Sequence, residues 1–295
     1  MTSSLRKKAR VAWLFITPYL VGFILFHFLP IFLSIVLSLT DMKYISTADQ
    51  TSFIGLGNYF EMIHDAEFRN AFKNSIIYSV CFVPLVMVVG LFLAVLVNQK
   101  IHFRNGIRAM IFMPYVSNMV AIAIVWSLLL DPVDGIVNKT LSALGVSNAP
   151  MWLMGSKTAL ITVVMIAVWR EVGLQFVTYL AALQDVPKEL KEAAQIDGAN
   201  RFQLFRFVTF PLLRNTTFLL IITSIITSLK NFTIIQVLTE GGPGNATTVL
   251  PLKIVDTAFS SARMGYASAQ AMVMFVLVMV ITATQWIGKN RSEIY

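Results

Sequence analysis

Apolar residues run in six long segments along the chain, separated by shorter polar stretches. Each segment reaches about 20 residues, the length that an α-helix needs to cross the hydrocarbon core of a bilayer. The pattern therefore predicts an all-α integral membrane protein with six transmembrane helices. The predicted spans are residues 12–39, 76–97, 109–130, 158–183, 216–238 and 267–287.

Composition agrees with that pattern and excludes an ordinary soluble domain. Hydrophobic residues make up 57% of the 295 residues and charged residues only 13%, whereas a soluble domain carries about 25% charged residues. The single cysteine, Cys81, falls inside the second predicted span and is expected to be a small core residue. The first apolar run is too long for the core of a cleaved signal peptide, so we expect it to be retained as a helix.

The net charge of +8 raises the possibility of a nucleic-acid partner, but the placement of the charges favours another explanation. With the N-terminus inside, fourteen Lys and Arg residues, Lys100 among them, fall in inner segments and seven in outer segments. Arg170 and Lys230 lie within predicted spans. This is the positive-inside bias of a six-span protein with both termini cytoplasmic. The basicity indicates topology, and no nucleic-acid site is predicted.

The loop between the fourth and fifth predicted spans has the pattern of two short helices joined by a turn. Pro187 suits the first turn of a helix, and Asp185 is placed to cap it. Gly198 fits a helix end in the left-handed conformation. Asn200 with Gln203 three residues later resembles a capping box that opens a second helix. The sequence therefore predicts a helix–turn–helix in this loop.

Two roles for this loop are open on composition alone. Ala193 and Ala194 give the first helix a small-residue face that lets another surface approach closely. Phe202 and Phe205 give the second helix an apolar stripe that could anchor in a partner, and Pro211 ends the pattern. The same stripe suits an amphipathic segment that lies on the bilayer surface.

The stretch "EAAQIDGANRFQLFRFVTFPLL" at 192–213 resembles the EAA loop of permease subunits in bacterial ABC importers. Further stretches resemble the maltose-type, carbohydrate-uptake branch of these permeases, so the resemblance covers nearly the whole chain. The EAA pattern is matched in order and spacing by Glu192, Ala193, Ala194, Asp197, Gly198, Ala199, Phe205 and Pro211. The further stretches are "FIGLGNYFEMI" at 53–63, residues 111–126, residues 181–199, "NFTIIQVLTEGGPGNATT" at 231–248 and "MGYASAQA" at 264–271.

This resemblance implies a type I ABC importer permease fold, with one transmembrane domain over residues 1–295 and a coupling loop at 185–214. It implies a bacterial cytoplasmic-membrane location and a sugar substrate, with an oligosaccharide expected. The implied partners are a second homologous permease, a dimer of cytoplasmic ATPase subunits and an extracytoplasmic sugar-binding protein. The residues implied to contact the ATPase are Glu192, Ala193, Ala194, Asp197, Gly198, Ala199, Asn200 and Phe205.

Motifs for catalysis are weak in this sequence. "GSKT" at 155–158 lacks the glycine directly before lysine that a phosphate-binding loop needs. His27, His64 and His102 are far apart in the predicted topology, which does not favour a metal site. We therefore predict no catalytic, cofactor or metal site on this chain, and expect ATP with Mg²⁺ to be used by the partner ATPase.

Polar residues inside the predicted spans are the candidates for a substrate path. Charges at the bilayer centre cost about 2.5–3.5 kcal/mol on insertion scales, so such residues normally face an interior. Hydrogen bonding between helices is an equally good explanation for any one of them. The candidates are Arg170, Glu171 and Gln175 in span four, and Thr227, Lys230 and Asn231 in span five. Asn231 also matches a polar position in the fifth-span motif of sugar permeases.

The alternative function is an ion-coupled secondary transporter of a small polar solute. Transporters of that class use carboxylates inside the membrane as a proton relay. Glu171 is the one acidic residue that falls within a predicted span, and it directly follows Arg170. The sequence therefore favours the ABC permease over this alternative.

Overall fold

The computed structural model describes residues 3–45, 51–99, 102–146 and 148–292, and Lys100 lies outside them. The regular structure in these ranges is helical apart from one isolated antiparallel bridge between Thr40 and Phe53. Three π-helical segments, Ile24–Phe28, Leu204–Thr209 and Asp256–Ser260, continue helices in the described residues. The α-helices are α1 (Ser3–Phe23), α2 (Leu29–Ser38), α3 (Gly57–His64), α4 (Ala66–Val97), α5 (Arg104–Val116), α6 (Met119–Leu129), α7 (Ile136–Ala143), α8 (Ala159–Gln184), α9 (Lys188–Ile196), α10 (Arg201–Gln203), α11 (Phe210–Leu212), α12 (Arg214–Leu229), α13 (Thr233–Leu238), α14 (Leu250–Val255) and α15 (Met264–Ser292).

Between four and six of these elements are long and apolar enough to cross a membrane. The four continuous candidates are Ala12–Ser38, Ala66–Val97, Ala159–Gln184 and Met264–Ile287. Two further candidates are bent pairs, Arg104–Val116 with Met119–Leu129 and Arg201–Leu212 with Arg214–Leu229. The all-α membrane architecture is thus confirmed, and the predicted number of six lies within this range.

The third predicted span, 109–130, corresponds to two helices, α5 and α6, which meet at an angle of 98°. Ser117 and Asn118 have extended backbone at the bend. The Asn118 side chain accepts hydrogen bonds from the backbone N–H groups of Val120 and Ala121, so it caps a new helix. Since the apolar run continues through the bend, hydropathy did not show it.

The fifth predicted span, 216–238, is interrupted in the structure. Helix α12 ends at Leu229, and α13 begins only at Thr233. Asn231 lies in the break, where its side-chain amide donates to the hydroxyl of Tyr78 at 2.6 Å. On the other side, the helix before α12 begins at Arg201 and turns by 67° into it. The predicted span therefore extends beyond the end of α12, and the helix predicted before it in the loop is found as the first part of the bent pair.

The structure divides into two compact units: residues 1–65 with 254–279, and residues 66–253 with 280–295. In the second unit, α8 packs closely along α4 and α5, because a glycine lies at each of these two contacts. A Cβ on Gly90 would lie 2.6 Å from the Cβ of Gln175, and one on Gly173 would lie 3.0 Å from the carbonyl oxygen of Ile111. These two glycines let α8 approach α4 and α5 closely.

The directions of the helices in the second unit indicate that each bent pair crosses the membrane once. Arg104 donates from Nε to the carbonyl of Val97, the last residue of α4, at 3.1 Å. It also donates to the side chain of Gln184, the last residue of α8, at 3.1 Å. Since α4 and α8 end together, the chain between them must return to the opposite side, through α5 and α6.

Helix α12 runs in the direction opposite to α8. The hydroxyl of Tyr179 donates to Thr217 at 3.1 Å, and the amide of Gln175 donates to Ser224 at 3.1 Å. Residue numbers therefore rise along α12 as they fall along α8. The bent pair 201–229 accordingly leads from the side where α8 ends to the side where α8 begins.

In the first unit, a polar clasp joins α3 to the start of α15. Arg263 donates to both carboxylate oxygens of Glu61 at 2.6 and 2.7 Å, and its guanidinium lies 4.5 Å from the ring centre of Tyr266. The hydroxyl of Tyr266 donates to Asp65 at 2.8 Å. The hydrogen bonds from Arg263 lower the pKa of Glu61 below its ordinary value.

The clasp is expected to be pH-dependent. Because the folded pKa of Glu61 is lowered, its contribution to stability is complete above the ordinary glutamate pKa and is lost as the pH falls through the lowered value. Both side chains are about half exposed, so we expect a contribution of roughly 0.2–1 kcal/mol. The difference in thermal midpoint between wild type and Glu61→Gln should shrink as the pH falls below the ordinary glutamate pKa. A pH-independent Glu61→Gln difference would contradict the assignment.

Candidate functional site

The first helix of the loop at 185–214 ends in a glycine-dependent turn. Gly198 has φ +83°, and its N–H donates to Gln195 at 3.1 Å while the N–H of Ala199 donates to Ala194 at 2.9 Å. This pair of bonds is the Schellman helix ending, in which a left-handed residue satisfies the last carbonyl groups. The left-handed conformation predicted for Gly198 is therefore found.

The second half of the loop opens with the predicted capping box. Asn200 accepts from the N–H of Gln203 at 2.9 Å, and the Gln203 side chain accepts from the N–H of Asn200 at 2.9 Å. The predicted cap at the first helix is wrong: Pro187, not Asp185, holds the N-cap position of α9, and no side chain caps that helix. Because proline lacks an N–H group, position 187 itself leaves no donor unsatisfied, while the N–H groups of the first turn of α9 receive no side-chain cap.

The second helix differs from the prediction because it contains a π-helical segment, Leu204–Thr209. A π turn holds more residues than an α turn, so the side chains after it change faces. Phe205 is consequently half-buried and packs on Phe210 at 6.0 Å, while Phe207 is 69% exposed. Pro211 lies in α11, and this helix ends one residue later, at Leu212, before the bend into α12, as the sequence predicted.

An open notch of about 360 Å³ lies between the two halves of the loop. Gly198 has no atom within 4 Å of the position that a Cβ would take, so the notch is open at the turn. Phe207 and Gln203 were not among the predicted docking residues; the π turn that brings Phe207 here has no simple signal in the sequence. The lining residues are Ala194, Asp197, Gly198, Ala199, Gln203, Phe207 and Val208.

Most of the predicted coupling residues are exposed on this loop. The side chains of Glu192, Ala193, Asp197 and Asn200 are exposed, and those of Ala194 and Ala199 are partly exposed. Two large apolar side chains flank them, Ile196 at 86% and Phe202 at 73% exposure. The loop is therefore a folded, polar-apolar surface with a concave centre, suited to receive part of another protein.

Arg170 and Glu171, in the middle of α8, form an ion pair with each other. Arg170 also donates to the carbonyl of Tyr115 at 3.4 Å, and its guanidinium lies 5.9 Å from the centre of that ring. Both charged side chains are largely buried. The two opposite charges therefore neutralise each other within the packed helices, and the contacts of Arg170 with Tyr115 connect α8 to α5.

A polar seam of buried side chains joins α12 to α4 and α8. Besides the bonds of Gln175 and Asn231 described above, Ser228 donates to Ser79 at 2.8 Å. Asn231 is 8% exposed and Gln175 is 3% exposed. Both predicted path residues are thus used in contacts between helices. Thr217, Ser224, Ser228 and Asn231 recur at helical spacing, which is the sequence signal that could have revealed the seam.

Thr227, in α12, and Lys230, at its C-cap, lie on a different face from the seam. Both are exposed, as is Thr223 one turn earlier, so the three residues form an exposed polar stripe. The structure does not bring together all six predicted path residues: Arg170 and Glu171 pair with each other, Gln175 and Asn231 belong to the seam, and the other two lie on this stripe.

The architecture and the loop together define a class of protein: the membrane-embedded subunit of a transport system. The chain belongs to the family described as binding-protein-dependent transport system inner membrane component, whose model matches residues 86–288. The resemblance seen in the sequence is thereby confirmed at the level of the family. Membership also establishes a multi-pass membrane protein of a transport system that works with a binding protein.

Two relatives match almost the whole chain. The probable ABC transporter permease protein YurN of Bacillus subtilis is 33% identical, with 93% of this chain and 94% of YurN covered. The lactose transport system permease protein LacF of Rhizobium radiobacter is 34% identical, with 99% and 98% covered.

Solved structures of ABC transporters have the same fold. A chain of a bacterial ABC transporter involved in the import of the acidic polysaccharide alginate matches with a TM-score of 0.81 and 23% identity. The match covers 98% of this chain and 99% of that chain. At this identity the likeness establishes the fold, an ABC importer permease fold.

Proposed function

We propose that this chain is one of two permease subunits of an ATP-driven importer that carries a sugar, with an oligosaccharide as the expected substrate. Family membership supports the transport role, and the relationship to a lactose permease over 99% of the chain supports the substrate class. The observation that best supports ATP-driven transport is the exposed helix–turn–helix loop at 185–214.

The loop is proposed to couple the permease to a cytoplasmic ATPase. Its Schellman ending and capping box fix the angle between two helices without support from a partner. A rigid loop can transmit a movement of the ATPase to the transmembrane helices, whereas a flexible loop would change its own conformation instead. The open notch beside Gly198 offers a recess for a side chain of the ATPase. ATP with Mg²⁺ then binds to the ATPase subunits, and this chain alone neither binds nor hydrolyses ATP.

A second, homologous permease is proposed to face the polar stripe of α12. Three polar side chains on the exposed side of a transmembrane helix are costly against lipid, particularly the charge of Lys230. Facing a partner across a water-filled path removes this cost. Residues Thr223, Thr227 and Lys230 are therefore the better candidates for contact with the substrate, and the buried seam is the better candidate for structure.

This division predicts different outcomes for neighbouring residues. Lys230→Met should lower sugar uptake several-fold while the thermal midpoint of the complex stays unchanged, because the side chain contacts nothing in the seam. Asn231→Leu should lower the midpoint, because it leaves the buried Tyr78 hydroxyl without its hydrogen-bond partner. Such a loss costs about 1–3 kcal/mol of stability. Uptake and thermal unfolding of both variants measure this. Equal effects of the two variants on the midpoint would contradict the division.

The loop is proposed to lie in the cytoplasm, with both termini on the same side. This follows from the positive-inside bias and from the location of ATP. In a Cys81→Ser background, a cysteine introduced at Ser3 or at Ser292 should be labelled only after the cells are opened. Labelling from outside intact cells would refute this orientation.

Co-purification tests the proposed assembly. A tag on this chain should recover four core subunits, namely two different permeases and two copies of an ATPase, together with ATPase activity that the chain alone lacks. Robust ATPase activity of the isolated chain would refute the assignment. The pairing of Glu171 with Arg170 gives no support to a proton relay, so the ion-coupled transporter is not favoured.

A further inference from the structure

Two arginines meet where α4 and α8 end, beside the start of the coupling loop. With the Gln184 amide assigned so that its oxygen faces the arginine donors, it accepts from Nη2 of Arg108 at 2.8 Å and from Nη2 of Arg104 at 3.1 Å. Arg104 also donates from Nε to the carbonyl of Val97. We call Arg104 and Arg108 the arginine pair.

The charge of the arginine pair is not balanced within the part of the chain that the structure describes. Neither guanidinium has a carboxylate partner there, and both share one neutral acceptor. The Nε of Arg108 is buried and has no hydrogen-bond partner among the described residues. Each guanidinium has five N–H donors, so most donors of the pair remain available to an anion. Planar guanidinium groups bind phosphate oxygens in a bidentate manner.

Exposed apolar side chains lie close in sequence to the arginine pair. Phe103, directly before Arg104, is 90% exposed, and Met110 is 76% exposed. Leu96, one residue before the end of α4, is also exposed. A free anion gains nothing from these residues, whereas an acyl chain does. The pair itself lies at the ends of two transmembrane helices, the depth at which lipid headgroups lie.

We propose that the arginine pair binds the phosphate group of an anionic phospholipid. The phosphate takes the free donors of the two guanidinium groups, and an acyl chain lies along Leu96, Phe103 and Met110. Because Gln184 is the last residue before the coupling loop, the bound lipid also holds the position at which that loop leaves the membrane.

Native mass spectrometry of the full chain, purified in detergent and titrated with phosphatidylglycerol, tests this site. Wild type should bind one lipid about tenfold more tightly than Arg104→Gln/Arg108→Gln. Lys188→Gln/Lys191→Gln removes the same charge from the neighbouring helix α9 and should bind as wild type does. Phosphatidylcholine should bind equally weakly to all three proteins. Equal loss of phosphatidylglycerol in both double variants would mean general charge attraction and would overturn the proposal.

Gln184→Glu keeps both arginines and supplies a carboxylate from within, so it should lose the tight lipid while its thermal midpoint stays the same or rises. This variant decides the matter if the arginine variants fail to fold; unchanged lipid binding in Gln184→Glu overturns the proposal. Inorganic phosphate at millimolar concentration should not displace the lipid. Displacement would identify free phosphate as the ligand and would also overturn it.

Discussion

Gly198→Asp is expected to abolish sugar uptake while the chain still inserts and pairs with its partner permease. The native φ of +83° at this position costs a residue with a Cβ roughly 1–2 kcal/mol. No atom of the chain lies within 4 Å of the new Cβ, so the side chain points into the space where the ATPase is proposed to dock. Contacts between docked surfaces weaken sharply when a gap of under an Ångström opens. We expect uptake and ATPase pull-down both to fall by more than about tenfold, the effect of about 1.4 kcal/mol.

Gly145 provides a matched control for Gly198. It has φ +89° and equally open surroundings, but it follows α7, outside the coupling loop. Gly145→Asp therefore carries the same backbone cost without touching the docking surface, and it should retain both uptake and ATPase binding. Wild-type uptake in Gly198→Asp would exclude the loop as the coupling joint, and the loop would then be assigned to the membrane surface.

Gly90→Val is expected to destabilise the membrane domain itself. Even a Cβ at this position would lie 2.6 Å from Gln175 and 3.3 Å from the backbone nitrogen of Phe176. Helices α4 and α8 would have to separate, which breaks a close contact between two membrane helices. Overpacking of this kind costs about 1–3 kcal/mol. The thermal midpoint of the purified chain should drop by several degrees, with a lower yield of membrane-inserted protein.

Gly106→Val is the control for this second variant. Gly106 lies in α5 with nothing within 4 Å of its Cβ position, so valine has room there. Its midpoint should equal or exceed that of wild type, because glycine is a poorer helix former than valine. Similar losses in Gly90→Val and Gly106→Val would show that the contact between α4 and α8 is not as close as described.

Hydropathy was sufficient to predict the helical membrane class and most spans, because apolar length alone decides which segments enter a bilayer. It did not show the breaks at Ser117–Asn118 and Lys230–Asn231, where two polar residues lie between two helices. At Asn118 the side chain caps the next helix, and at Asn231 it reaches Tyr78 on α4. The second of these contacts depends on tertiary packing, which a single sequence does not show.

The turn of the candidate site was predictable because its determinants are local. Gly198 and the pair Asn200 with Gln203 act over three to five residues, and each takes the predicted conformation. The π-helical segment after them changed which phenylalanine is exposed, and its cause is not local. The partition of the six intramembrane polar residues likewise needed the structure, since only helix packing distinguishes the buried Asn231 from the exposed Lys230.

We propose that a separate ATPase drives this permease and that a binding protein supplies its substrate. Reconstituting the co-purified complex in liposomes and measuring uptake of a labelled oligosaccharide tests both parts of this proposal. Uptake should require both ATP on the side of the coupling loop and the binding protein on the other side, and Gly198→Asp in the same assay should abolish it. Uptake that follows a proton or sodium gradient without ATP would contradict the claim.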